Sequence, residues 1–170
     1  MIAKRTKIVE LTFTRQNLVY DIENYAFVEG DLMRTDNEHA KHQVFDIAQD
    51  GNIDRVNRIL DLAHAECVEM MYPYTKVSCE DSESVTNSPM DVYQYCITLQ
   101  IPDDFSKTTI DYVSKCVHEY MTSRVLTDWL SITKPSAANY WAVKAAEAKD
   151  QIRTSLNARM KRVRRTLSPF

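Results

Sequence analysis

Glycine is nearly missing from this chain: two in 170 residues, against an average usage of roughly 7%. Tight hairpins draw heavily on glycine for left-handed backbone. The scarcity therefore argues against a sheet-rich fold and for long helices. It also leaves nothing from which to build a glycine-rich phosphate cradle. No GxSxG, P-loop or GxGxxG occurs, so nucleotide and hydrolase signatures are missing too. The four cysteines, Cys67, Cys79, Cys96 and Cys116, stand 12, 17 and 20 residues apart and form no CxxC pair. That spacing matches no zinc pattern and predicts free thiols in a reducing compartment. No stretch nears the roughly 18 apolar residues of a membrane span. Met1-Ile2-Ala3-Lys4-Arg5 leads into a mixed segment, so no signal peptide is read. Internal repeats and low-complexity tracts are absent as well.

What is present is ordinary in amount and uneven in distribution. Hydrophobic residues make up 44% and charged residues 26%, as in a globular domain with one core. The net charge is only −3, yet residues 149–170 hold seven Lys/Arg and one acid, a balance of +6. The other 148 residues hold fourteen Lys/Arg and twenty-three Asp/Glu, a balance of −9. Charge segregated in this way points to a partner: an acidic protein surface, a nucleic acid or another copy of the chain.

Periodicity predicts a mainly α fold of about five helices, two of them long, amphipathic and C-terminal, with a minor two-stranded β element. Residues 7–14 alternate and read as a strand. A helix follows over about Gln16–Met33, with Leu18, Ile22, Tyr25 and Leu32 on one face and Gly30 weakening its last turn. Thr35-Asp36-Asn37-Glu38 caps a short helix through Val44, Phe45 and Ile47. After the Asp50-Gly51-Asn52 turn, Ile53, Val56, Ile59, Leu60, Ala63, Cys67 and Met70 mark an amphipathic helix ended by Tyr72-Pro73. Residues 74–90 form a long acidic loop. Val92–Ile101 returns to strand, with Tyr93, Tyr95, Ile97 and Leu99 on one face and residues 7–14 as its partner.

Asp103-Asp104-Phe105-Ser106 opens a helix with the stripe Ile110, Val113, Val117, Tyr120, Met121, Val125 and Trp129, the acids suiting its dipole. A turn at Thr133–Ser136, with Ser136 as N-cap, leads into a final helix over about Ala137–Arg164. Its stripe is Trp141, Ala145, Ala148, Ile152, Leu156, Met160 and Val163. About 28 residues give ~42 Å, longer than a domain of this size is across, so the basic end should project or pack on another subunit. The domain reading is a helical body over 1–158 and a basic docking segment over 159–170.

No constellation carries catalytic chemistry. His39 and His42 lie one helical turn apart with no further metal ligand indicated. His64-Ala65-Glu66-Cys67 has the HxE of zinc deaminases without the Pro-Cys-x-x-Cys those enzymes need. Cys116 and His118 point to different faces of one helix. The expectation is a non-enzyme with no cofactor and no metal. Glu80, Asp81, Glu83, Trp129 and Trp141 are candidate intersubunit contacts; for the tryptophans core packing is the default reading and an interface anchor the alternative, since indoles anchor interfaces. The terminal cluster Arg159, Lys161, Arg162, Arg164 and Arg165, with Pro169 and Phe170, is the candidate docking element. It could complement the helix dipole, meet phosphates, or pair with a neighbour's carboxylates.

One pattern carries a family resemblance: Val117-His118-Glu119-Tyr120-Met121, then Arg124–Leu130, a Pro turn, Tyr140-Trp141, a long helix, Arg162-Val163-Arg164-Arg165 and Pro169-Phe170. It resembles small virion proteins of tailed bacteriophages, of the head-to-tail connector (adaptor or ring) kind, over mainly residues 92–170. The resemblance implies a mostly helical, non-enzymatic protein that forms a homo-oligomeric ring docked on a portal or the next tail ring. It implies location in the virion neck after assembly in host cytoplasm, and contact with portal and tail proteins, with a non-specific contact to passing DNA. Residues 159–170 would grip the neighbour, and residues 74–90 would form an intersubunit or lumen-facing loop.

Overall fold

A computed structural model describes residues 6–34, 37–72, 74–76 and 92–157. It contains β1 (Thr6–Thr14), α1 (Arg15–Asp31), α2 (Glu38–Phe45), a 3-10 turn (Asp46–Ala48), α3 (Ile53–Met70), β2 (Gln94–Pro102), α4 (Lys107–Thr133) and α5 (Pro135–Asn157). The mainly helical class and the small β element match the expectation from sequence.

The strands pair antiparallel, from Thr6 opposite Pro102 to Thr14 opposite Gln94. Alternation sorts their side chains. Leu11, Phe13, Tyr95, Ile97, Leu99 and Ile101 are buried against the helices, while Ile8, Glu10, Thr12, Cys96 and Gln100 face outward. Tyr93 departs from its expected place beside Tyr95. It lies in the bend before β2 and is 75% exposed, because the chain turns away while its carbonyl still accepts from Arg15 N–H at 3.0 Å.

The core gathers around α4, which packs against α1, α2, α3 and α5. The sequence predicts one apolar stripe here. That stripe is buried, with Ile110 half-buried, and the structure adds Cys116, Thr122, Ser123, Leu126 and Leu130, so that the middle of α4 is covered on every side. A threonine in such a stretch can satisfy its hydroxyl on carbonyls one turn back. Thr122 Oγ1 accordingly donates to the His118 and Glu119 carbonyls at 3.0 and 3.1 Å.

Several boundaries shift. α4 starts at Lys107, leaving Asp103 and Asp104 in the preceding turn rather than in the first helical turn. It also runs on to Thr133, so that Lys134 alone separates it from α5. Pro135, not Ser136, opens α5: proline suits the first helical position, where its missing N–H has no partner to lose. The α5 face expected from periodicity is buried from Ala137 through Leu156; the predicted extension to Arg164, with Met160 and Val163, lies outside the described residues. On α1 the buried set is Leu18, Ile22, Ala26 and Gly30. Leu32 falls at the C-cap and is 68% exposed, contrary to its expected place on the apolar face.

Gly30 has a packing reason. A Cβ there would sit 2.3 Å from Phe45 Cε1, so its bare backbone lets α2 lie against α1. Phe45 in turn stacks on Phe27 at 5.1 Å between centroids. Asn37, one of the predicted caps, accepts from His39 N–H at 3.1 Å at the start of α2. Trp129 Nε1 donates to Val44 O at 3.0 Å from the opposite side.

Candidate functional site

The basic residues Arg159, Lys161, Arg162, Arg164 and Arg165, with Pro169 and Phe170, lie outside the described residues, as do Glu80, Asp81 and Glu83 and most of the 74–90 loop. The structure shows where the residues before the docking segment lie. α5 runs antiparallel to α4, with Cys116 Sγ 3.6 Å from Gln151 Oε1. The last described residue, Asn157, therefore lies beside the first turns of α4.

The tryptophans are placed inside the chain. Trp129 is 8% exposed and Trp141 4%, and both indole N–H groups are satisfied internally. Trp141 Nε1 donates to Glu29 Oε1 at 3.0 Å. Lys134 Nζ donates to Glu29 Oε2 at 2.7 Å and to the Glu29 carbonyl at 2.8 Å. The α4–α5 connection is thereby fastened to the end of α1. These tryptophans are core residues, not exposed anchors for a neighbour, because the hairpin they sit on closes over α1. Core packing is the default that their apolar stripes gave from sequence.

Further polar pairs ring α4. Lys144 Nζ lies 2.8 Å from Glu119 Oε1 and over the Tyr25 and Trp141 rings at 4.8 and 4.7 Å. Partial burial pulls its pKa down, but the Glu119 carboxylate and the nearby tyrosines outweigh this and leave it raised. His118 Nε2 meets Asp21 Oδ2 at 2.7 Å. Tyr120 donates to Glu66 Oε2, which Arg124 also approaches at 3.7 Å. On the sheet side, Tyr95 donates to Asp61 at 2.8 Å and His64 Nε2 meets Cys96 O at 3.0 Å. Burial holds the His64 pKa below its ordinary value, against the opposing pull of the Cys96 carbonyl and Asp61.

These positions resolve the candidate constellations. His39 and His42 are exposed on α2. His64, Glu66 and Cys67 part company: His64 goes to β2, Glu66 to Tyr120, and Cys67 into the core, where burial raises its thiol pKa. Such a thiol stays protonated and unreactive. Cys116 turns to α5 and His118 to α1. Among the described residues no group of three or more His, Cys, Asp or Glu could hold a metal ion, and no helix is long and apolar enough to cross a membrane. Sequence reasoning missed the His118–Asp21, Glu29–Lys134 and Tyr120–Glu66 pairs. Their partners are 97, 105 and 54 residues apart, and no spacing rule connects them.

Compared with known proteins, the chain matches no family model, no curated protein and no solved structure.

Proposed function

We propose that this chain is a structural virion protein: a ring-forming subunit of the head-to-tail connector kind that docks on a portal or the next tail ring. The observation that carries the reading is the division of charge, +6 over residues 149–170 and −9 over the remainder. Copies set head to tail bring opposite charges together. The fold supports the reading in a second way. A central helix whose middle is buried on every side and which is bolted to its neighbours by Glu29–Lys134, Lys144–Glu119 and Arg55–Asp128 (2.6 Å) makes a rigid block, and a rigid block transmits a docking geometry. In the chain the basic segment follows directly on α5.

The test is the native mass of the purified full chain, by light scattering, beside a chain lacking residues 159–170. The reading expects large closed particles from the first and folded, dissociated protomers from the second. Truncated protein that assembles normally would sink the assigned role of the segment. The same basic cluster carries the second reading, a small nucleic-acid-binding or regulatory protein. Tight duplex DNA binding by a monomer, falling steeply between two salt concentrations, would establish that reading instead.

A further inference from the structure

The two-stranded sheet has unequal edges. On β2 two outward backbone groups are engaged: Gln100 N–H donates to Tyr74 O at 2.7 Å, and Cys96 O meets His64 Nε2 at 3.0 Å. The ladder bond from Arg15 N–H to Tyr93 O sets the alternation on β1. In an antiparallel pair, residues two apart share a direction. Lys7, Val9, Leu11 and Phe13 therefore turn their N–H and C=O groups toward β2, and Ile8, Glu10 and Thr12 turn theirs away. Among the described residues, nothing bonds those outward groups, and the sheet stops at β1. All three residues are solvent-exposed, Ile8 at 64%.

A groove of about 430 Å³ follows this open edge. Val9, Leu11 and Ile110 give it an apolar floor, and Glu10 and Asp111 line it along with Lys7 and Lys107. Lys7 is already committed, its Nζ donating to Phe105 O at 2.9 Å. An open edge beside an apolar trough is the geometry that accepts an added strand, with main-chain bonds along the edge and alternate side chains in the trough.

We infer that β1 receives the C-terminal segment of a neighbouring copy, laid along the edge as a third strand. This rests on the ring reading and names the contact that would close it. Three observations select the occupant. Thirteen residues follow Asn157, with five Lys/Arg and no acid. Within them Val163 and Leu167 share a side with Arg165, two apolar residues for the trough and a guanidinium for the Asp111 carboxylate that lines it, while Arg164 and Thr166 would join Glu10 on the outer face. Pairing β1 with β1 of another copy, in the register that engages all three open residues, would instead set Glu10 against Glu10, which like charge disfavours.

The neighbour is favoured over the chain's own end by position. Cys116 and Glu119 face α5, while Lys107, Ile110, Asp111 and Ser114 face the groove. At 3.6 residues per turn these sets lie roughly 160° apart around α4. The face of α4 that carries α5 and the face beside the acceptor edge are thus opposed, an arrangement that suits a heterologous contact between copies.

The test places a photo-crosslinker at the exposed edge, Ile8→p-benzoylphenylalanine, in the full chain, using a mixture of nitrogen-14 and nitrogen-15 protein. The expected product joins residue 8 to a peptide from 159–170 of the other isotope. Products of a single isotope only, with no mixed-isotope pair, or products joining residue 8 to another β1, overturn the inference. Large particles without the 159–170 product overturn it while leaving the ring reading standing; an uncrosslinked monomer overturns both. A second arm compares Thr12→Pro with Thr12→Val. Proline removes an N–H that points to solvent, which an edge strand tolerates. Thr12→Pro should keep the helical spectrum and lose assembly at least tenfold, while Thr12→Val assembles normally. Equal assembly of the two variants also overturns the inference.

Discussion

Ser123 sits in the middle of α4, fully buried, with its hydroxyl oxygen unpaired among the described residues. Its carbonyl is engaged, accepting from Thr127 Oγ1 at 2.8 Å, so the deficit belongs to the side chain alone. A buried hydroxyl without a partner costs about 1–3 kcal/mol. Ser123→Ala should therefore raise stability by about 1 kcal/mol, read as a higher urea midpoint at unchanged slope; a lowered midpoint would show that the hydroxyl has a partner. His64 makes the opposite kind of prediction. Its folded pKa lies below its ordinary value, 6.5, so the unfolded chain takes up its proton first as pH falls. Stability from this residue is whole above pH 6.5 and declines as pH drops below it. Urea midpoints at pH 7.5 and 5 should differ less in His64→Gln than in the parent. An undiminished difference would assign the acid sensitivity elsewhere.

Between elements, small residues decide how closely helices approach. Ala in place of Gly30 improves the local helix propensity of α1 by roughly 1 kcal/mol. Its Cβ, however, would meet the Phe45 ring at 2.3 Å, and overpacking costs about 1–3 kcal/mol. Since Phe45 also stacks on Phe27, the ring has limited room to retreat. Gly30→Ala should destabilise by about 1 kcal/mol net, with faster hydrogen exchange confined to α2; a stabilised variant would show that Phe45 yields freely. The α4–α5 connection works differently, through charge. Glu29 satisfies both Lys134 and Trp141, and the side chains of Glu29 and Lys134 are only 17% and 18% exposed. Breaking a buried pair from one side costs about 3–5 kcal/mol. Partial exposure brings the expected loss for Glu29→Ala to about 2–3 kcal/mol by denaturation. A loss under half a kcal/mol would show the clamp to be incidental.

At the scale of the whole molecule, the proposed assembly joins a basic end to an acidic body, so its strength should follow ionic strength. Raising salt from 50 mM to 500 mM should shift the particle distribution toward protomers while the helical spectrum stays unchanged. Assembly that strengthens with salt would point to an apolar interface in place of an electrostatic one.

Strand alternation in Tyr95, Ile97, Leu99 and Ile101, the α3 face from Val56 to Cys67, and the α5 face from Trp141 to Leu156 are all legible in the sequence. Periodicity reports which side of an element is apolar, and these elements bury one side. The same rule found the α4 stripe from Val113 to Trp129 but not the burial of Thr122, Ser123 and Leu126 beside it, because the neighbours cover the middle of that helix on its other sides too. It misplaced Tyr93 and Leu32, since each stands one step past the end of its element, where the period no longer applies. The charge division and the position of the basic segment belong to the sequence alone. Which chemistry-bearing groups meet was settled by the tertiary structure: Asp21 with His118, Glu29 with Lys134 and Trp141, and the open edge of β1 above α4. Contacts between residues 97 to 112 apart are set by how the helices pack, and local spacing carries no record of that packing.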